Sequence, residues 1–191
     1  VEHAKPDFDA DEMLQTYLDL LVPIVAASFP THVRDAMAAR RQEDSRIVQE
    51  GRDTTGEARY RLRVTAPAHQ IDKARDRRAA YKRALDAFFG QGYDAILSPV
   101  TPVPAFAHDH SVPMNARSLN VDGREVPYMS ALNWIATATA LHAPALVLPA
   151  ARHKGLPIGI QLIGPERGER RLFEVALAAE QAIGPFPPPV L

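Results

Sequence analysis

The sequence predicts an α/β fold whose sheet is too small to stand alone. Stretches of helical apolar periodicity alternate with short apolar runs bounded by Pro and Gly. Helices and strands are therefore interleaved, which predicts at least some parallel pairing. Only three runs read as convincing strands, and three strands among several helices make an incomplete sheet. No internal repeat or flexible linker divides the 191 residues.

The first helix starts at Asp9, a side chain able to cap free N–H groups, with Glu12 placed to complete a capping box. Met13, Leu14, Tyr17, Leu18 and Leu21 follow at helical spacing, and Pro23 is expected to end or kink the helix. After Pro30, "THVRDAMAARRQEDSRIV" reads as a polar surface helix, and "GRDTTGEARYRLRV", with two glycines and mixed charge, reads as a loop. "HQIDKARDRRAAYKRALDAFFGQG" is the clearest helix: Ile71, Ala74, Tyr81, Leu85 and Phe88 share a face, and Gly90 or Gly92 stops it. "AILS" fits a buried strand, and the prolines of "SPVTPVPAF" impose an extended exit that cannot pair in a sheet. "HDHSVPMNARSLNVDGREVPY" reads as a polar loop holding a hairpin turn at "VDGRE". Residues 128–141 read as a small-residue helix anchored by Trp134. "ALVLP" and "PIGIQLIG" are the remaining strands, the second apolar except for Gln161. The last helix, from Gly168 to Ile183, is expected to turn Leu172, Phe173, Val175, Ala176 and Ala179 inward and to stop at Gly184 and Pro185, leaving the tail "FPPPV" extended.

Composition excludes several functions. A net charge of −1 gives no electrostatic case for nucleic acid or anionic lipid. Lys73, Arg75, Arg77, Arg78, Lys82 and Arg83 form a basic stretch, but the interspersed Asp72, Asp76 and Asp86 favour a solvated face. No apolar run approaches the roughly 20 residues that span a bilayer. Absence of Cys removes thiolate catalysis, disulfides and Cys-based zinc sites, and makes a reducing cytoplasm the easier home. The chain opens on Val1 without a signal-like leader, and is expected to begin at a cut.

Candidate chemistry is thin. None of Ser28, Ser45, Ser98, Ser111, Ser118 and Ser130 lies in G-x-S-x-G or S-x-x-K. Ser98 ends a strand, where α/β enzymes place active groups, but a hydroxyl hydrogen-bonded at a strand terminus satisfies the same position. His108 and His110 would share one side of an extended segment, yet no third metal ligand has the right spacing, and the expectation is no metal. His142, between apolar neighbours, reads as a buried, hydrogen-bonded histidine rather than a general base. The glycines of "GPERGER" could place an anion at a helix start, though a plain turn suffices.

"DAILSPVTPVPA", "APALVLPA", "GLPIGIQLIGP" and "LFEVALAAEQ" together resemble the C-terminal part of the amidase signature family. The likeness is strong over residues 93–181 and loose over residues 1–92; the tail "GPFPPP" also resembles the ends of some bacterial members. The resemblance implies one partial domain: a mostly helical variable region over 1–92, and over 93–191 a core segment of a mixed β-sheet flanked by helices. It implies hydrolysis of a carboxylic amide to an acid plus an amine or ammonia, by a serine nucleophile, a second serine on a cis peptide and a lysine. No cofactor is implied. The signature serines and lysine motif have no counterpart here, Lys5 in "HAKP" included, so no catalytic residue is assigned and the chain alone is expected to be inactive.

The chain departs from the family's pattern at three positions: Thr139 and His142 replace members of N-x-x-G-x-P-A, with Pro144 and Ala145 kept, and Ala151 replaces the glycine of P-x-G. The strands are expected to complete a larger sheet, with Gly159 allowing another backbone to approach closely. Thr101, Pro102, Val103 and Trp134 are expected to line the substrate pocket, with Trp134 as core anchor the competing assignment. The implied partners are the N-terminal catalytic part, a small-molecule amide and, through open apolar edges, another copy of the chain. Two alternatives stand beside this: a non-catalytic binding or structural subunit on the same half-fold, and an independent hydrolase using Ser98 or His142.

Overall fold

A computed structural model describes residues 1–112 and 114–187. Helix α1 spans Ala10–Ala26, and Asp9 caps it by accepting from the N–H groups of Asp11 and Glu12, each at 2.9 Å. Met13, Tyr17 and Leu18 are buried as expected, but the helix continues past Pro23 to Ala26. The polar stretch after Pro30 forms two helices rather than one, α2 (Thr31–Ala39) and α3 (Arg41–Gln49), parted at Arg40.

The expected loop over residues 51–64 is corrected: Glu57–Val64 is a helix, α4. Its charged composition hid three supports. The Asp53 carboxylate accepts from the N–H groups of Ala58 and Arg59, Ala58 and Val64 are buried, and Arg61 is neutralised by the fully buried Asp44 of α3. Helix α5 (Ala68–Phe89) buries Ala74, Leu85 and Phe88, with Gly90 as its cap.

After α5 come β1 (Ile96–Pro99), the hairpin β2 (Ser118–Val121) and β3 (Arg124–Pro127), and a 3-10 turn over Tyr128–Leu132. Then follow α6 (Asn133–Leu141), β4 (Ala145–His153), β5 (Leu156–Ile163) and α7 (Glu169–Ile183). The turn expected in "VDGRE" is present, with Asp122 and Gly123 at φ 51° and 81°, a geometry matched to two-residue hairpins. The polar loop expected around it is partly strand.

The main sheet has the order β1-β5-β4. Expected parallel pairing is corrected, since both pairings in it are antiparallel. For β4 and β5 the cause lies in "HKGL": Lys154 and Gly155, at φ 50° and 81°, close a tight turn, and strands joined so directly can only run antiparallel. The register shifts between Pro149 and Ala151, marking a bulge beside one of the positions that depart from the family pattern. A Cβ at Gly159 would meet Val147 Cγ1 at 3.0 Å, a tight contact, so the close neighbour is a cross-strand side chain.

The register places Ile96, Ile163 and Ala145 on one sheet face and Leu97, Leu162 and Leu146 on the other. The first face joins the core of α1, α5 and α6, where Met13, Tyr17, Leu85, Ala136, Ala140 and Leu141 pack with Ile96. The second is covered by Leu172 and Ala176 of α7 against Leu162. Phe173 departs from its expected inward position and is 61% exposed, because Leu172 and Ala176 alone define the buried stripe. Of the expected extended tail, residues 188–190 lie outside the described ones.

Candidate functional site

The candidate site forms where β1 leaves the sheet beside the start of α6. Gln161, the polar exception in β5, is buried and lies in register with Ser98 of β1 and Val147 of β4. Its Nε2 donates to Ser98 Oγ at 3.2 Å and to the Trp134 carbonyl at 3.1 Å. One buried amide thus ties the end of β1 to the first turn of α6. Ser98 is a hydrogen-bonded strand hydroxyl, and no base reaches it among the described bonds. The sequence exposed Gln161 as an anomaly in an apolar strand without revealing what it bridges.

Beyond Ser98 the prolines hold the chain extended. Thr101 Oγ1 donates to the Val103 carbonyl at 2.7 Å, which fixes the segment in its own small turn and leaves the Thr101 oxygen free to accept. Thr101 is exposed, and Pro102 and Val103 are half-buried. Trp134 is 41% exposed, more than a core anchor would be. The structure brings Trp134 to Ser98 through Gln161, whereas Thr101, Pro102 and Val103 follow by chain connection. Nearby, Phe106 packs edge-on to Tyr128 at 6.3 Å, with the Arg117 guanidinium 5.7 Å from the centre of the Tyr128 ring.

The other candidates separate from this site. His142 is corrected from buried to exposed: it caps α6 in the left-handed region at φ 58°, with Arg78 Nη1 3.4 Å from its Nε2. Lys82, close by, pairs with Glu166, and that contact holds the Glu166 carboxyl below the usual carboxylate range. His108 and His110 stand with ring centres 5.9 Å apart, and among the described residues no three His, Asp or Glu groups gather as a metal site would need. Hydrogen bonds from Ser111 hold Asp109 low in pKa. At "GPERGER" Gly168 serves a tight turn, since a Cβ there would lie 2.8 Å from the Pro165 carbonyl oxygen.

Comparison with known proteins gives a consistent picture. Residues 9–173 match the sequence model of the family described as Amidase. The A subunit of glutamyl-tRNA(Gln) amidotransferase from Rhizobium johnstonii is 40% identical over 119 residues, which cover 61% of this chain and 22% of that protein. Its counterpart in Salinispora arenicola is 35% identical over 100 residues, covering 51% of this chain and 18% of its own length. Among solved structures, an amidase superposes with a TM-score of 0.62 at 18% identity, over 92% of this chain and 36% of the other. The same amidotransferase component from Thermotoga maritima gives 0.55 at 22% identity, over 91% and 34%. At such identities the structural likeness establishes the fold, of which this chain accounts for about a third. No helix among the described residues is long and apolar enough to cross a membrane.

Proposed function

The chain belongs to the amidase family, and from that membership we propose that it is the C-terminal segment of an enzyme hydrolysing a carboxylic amide C–N bond to an acid plus an amine or ammonia. In this proposal the serine nucleophile, the serine on a cis peptide and the lysine come from a segment outside these residues, and the chain alone is inactive. The observation that carries it is a family match over residues 9–173 in a chain whose alignment spans only 22% of a relative. Neither a glycine/serine signature nor its lysine motif occurs in the sequence, in keeping with that division. Within it, residues 1–92 are the variable helical region and residues 93–191 the core segment of one partial domain.

The role proposed for this segment is to wall the substrate. Gln161 ties the end of β1 to the first turn of α6, and in this proposal Thr101, Pro102, Val103 and Trp134 line one mouth beside that tie. Thr101, its proton committed to Val103, offers an acceptor suited to an amide N–H, and the exposed Trp134 indole offers an apolar face. Water exclusion and orientation, not proton transfer, would be their contribution.

A second proposal, a non-catalytic subunit on the same half-fold, draws support from Thr139, His142 and Ala151, which depart from the family pattern. One experiment separates the two. The chain joined to, or mixed with, an N-terminal segment bearing the serine and lysine motifs should release acid from a simple amide, while the chain by itself should not. Turnover by the chain alone sinks both proposals, and no turnover by a folded complex favours the non-catalytic subunit. In an active complex Trp134→Ala should change the ratio of kcat/KM between a bulky and a small amide by about 10-fold. Its melting temperature should hardly move, since the indole is half exposed; a pure loss of stability would instead make Trp134 a core anchor.

A further inference from the structure

We propose that the cleft between α1, α3, α4 and α5 binds a small organic or inorganic anion carrying at least two negative charges. The cleft, of about 440 Å³, lies among the helices, away from the β1 exit, and its volume falls within the roughly 300–1,000 Å³ of small-molecule sites. It presents four cations, Arg59, Arg63, Lys73 and Arg77, against one carboxylate, Asp19. Val48, Leu62 and Ala66 supply apolar lining.

Charge alone would describe many surfaces; the pattern of hydrogen bonds is more selective. Every side-chain acceptor in the lining is already taken by a guanidinium. Asp19 Oδ1 accepts from Arg63 Nε at 2.8 Å and Asp19 Oδ2 from Arg77 Nη2 at 2.7 Å. Gln15 Oε1 accepts from Arg63 Nη2 at 2.7 Å, and Gln70 Oε1 from Arg41 Nη2 at 3.0 Å. A guanidinium can only donate, so both glutamine oxygens are fixed on these bonds and both NH2 groups are left to donate elsewhere. Arg77 Nε is held by Thr16 Oγ1 at 3.0 Å, which keeps its remaining N–H groups in place. Donors therefore make up the unoccupied polar side-chain wall, and such a wall accepts a ligand rich in acceptors: phosphate, phosphoryl or polycarboxylate. Two of the cations, Arg63 and Arg77, are preorganised by the fold; Arg59 and Lys73 have no side-chain partner among the described bonds and are free to close on the anion.

This site is independent of the amide-hydrolysis proposal, because α6 and the sheet contribute nothing to its lining. The test is calorimetric titration of the chain with inorganic phosphate and, separately, with citrate, at constant ionic strength set by chloride. Saturable one-site binding is expected for at least one of them. The Arg59→Gln/Lys73→Gln double variant should weaken it at least 10-fold with an unchanged melting temperature in chloride, and Lys73→Gln alone should weaken it less. Phosphate binding without citrate binding would identify a phosphoryl site, and the reverse a polycarboxylate site. Removing the same charge elsewhere, in Arg75→Gln/Arg83→Gln, should leave affinity intact. No saturable binding, or equal weakening by both double variants, would overturn the proposal.

Discussion

At the scale of single residues, one buried ion pair couples folding to pH. Asp44 is fully buried and receives two bonds from Arg61, Nε to Oδ2 at 2.9 Å and Nη2 to Oδ1 at 2.7 Å. These bonds hold its carboxyl below the usual range. With a folded pKa below the unfolded one, the stabilisation is complete above the unfolded pKa of about 4 and is lost as pH falls through the folded value. Asp44→Ala should cost about 3–5 kcal/mol by leaving Arg61 without its main partner. In urea titrations from pH 7 to pH 2.5, Asp44→Asn should lose less stability on acidification than the parent; parallel curves would show that this pair does not govern acid stability. His142 works in the opposite sense. Its left-handed cap, at φ 58°, is a conformation that glycine adopts without strain, and burial does not compensate for the histidine there. His142→Gly should raise stability by about 1 kcal/mol, as read by urea unfolding.

At the scale of elements, each helix or strand was legible in proportion to how local its cause is. The Asp9 cap, the face running Ala74 to Phe88, and the stop at Gly184 are contained in contiguous residues, and α1, α5 and α7 follow from them. The three main strands are visible from their apolar runs, but the antiparallel pairing of β4 with β5 depends on two residues, Lys154 and Gly155, which pass for an ordinary polar break. Gly155→Ala, forced to φ 81°, should cost about 1–3 kcal/mol and unravel the hairpin first, as hydrogen exchange at β4 and β5 would report. Helix α4 was hidden because its support is distant: Arg61 looks like a solvated charge until Asp44, far back in the chain, is brought against it. The candidate site divides in the same way. Thr101, Pro102, Val103 and Trp134 stand out by residue type and family likeness, while the Gln161 bridge needs two separate elements brought together. Phe173 obeys helical periodicity and still faces outward, since periodicity defines a stripe and not what covers it.

At the scale of the whole molecule, the sheet is the unfinished part. Strands β1 and β4 each pair only with β5, so each leaves one row of N–H and C=O groups unpaired among the described strands. On those edge strands Leu97 is 49% and Val147 53% exposed, and on α7 Phe173 and Leu177, one helical turn apart, are 61% and 59% exposed. Exposed apolar surface next to an open strand edge promotes association with any complementary edge, another copy included. The isolated chain should therefore associate with increasing concentration in sedimentation experiments. Phe173→Ser/Leu177→Ser should weaken that association while leaving the helical core of α1, α5 and α6 intact, because neither side chain belongs to it. Adding the N-terminal segment of the proposed enzyme should suppress association by competing for the same surfaces. A monodisperse monomer that melts in one cooperative transition would mean that three antiparallel strands and seven helices suffice by themselves, and that the exposed face of α7 is surface rather than interior.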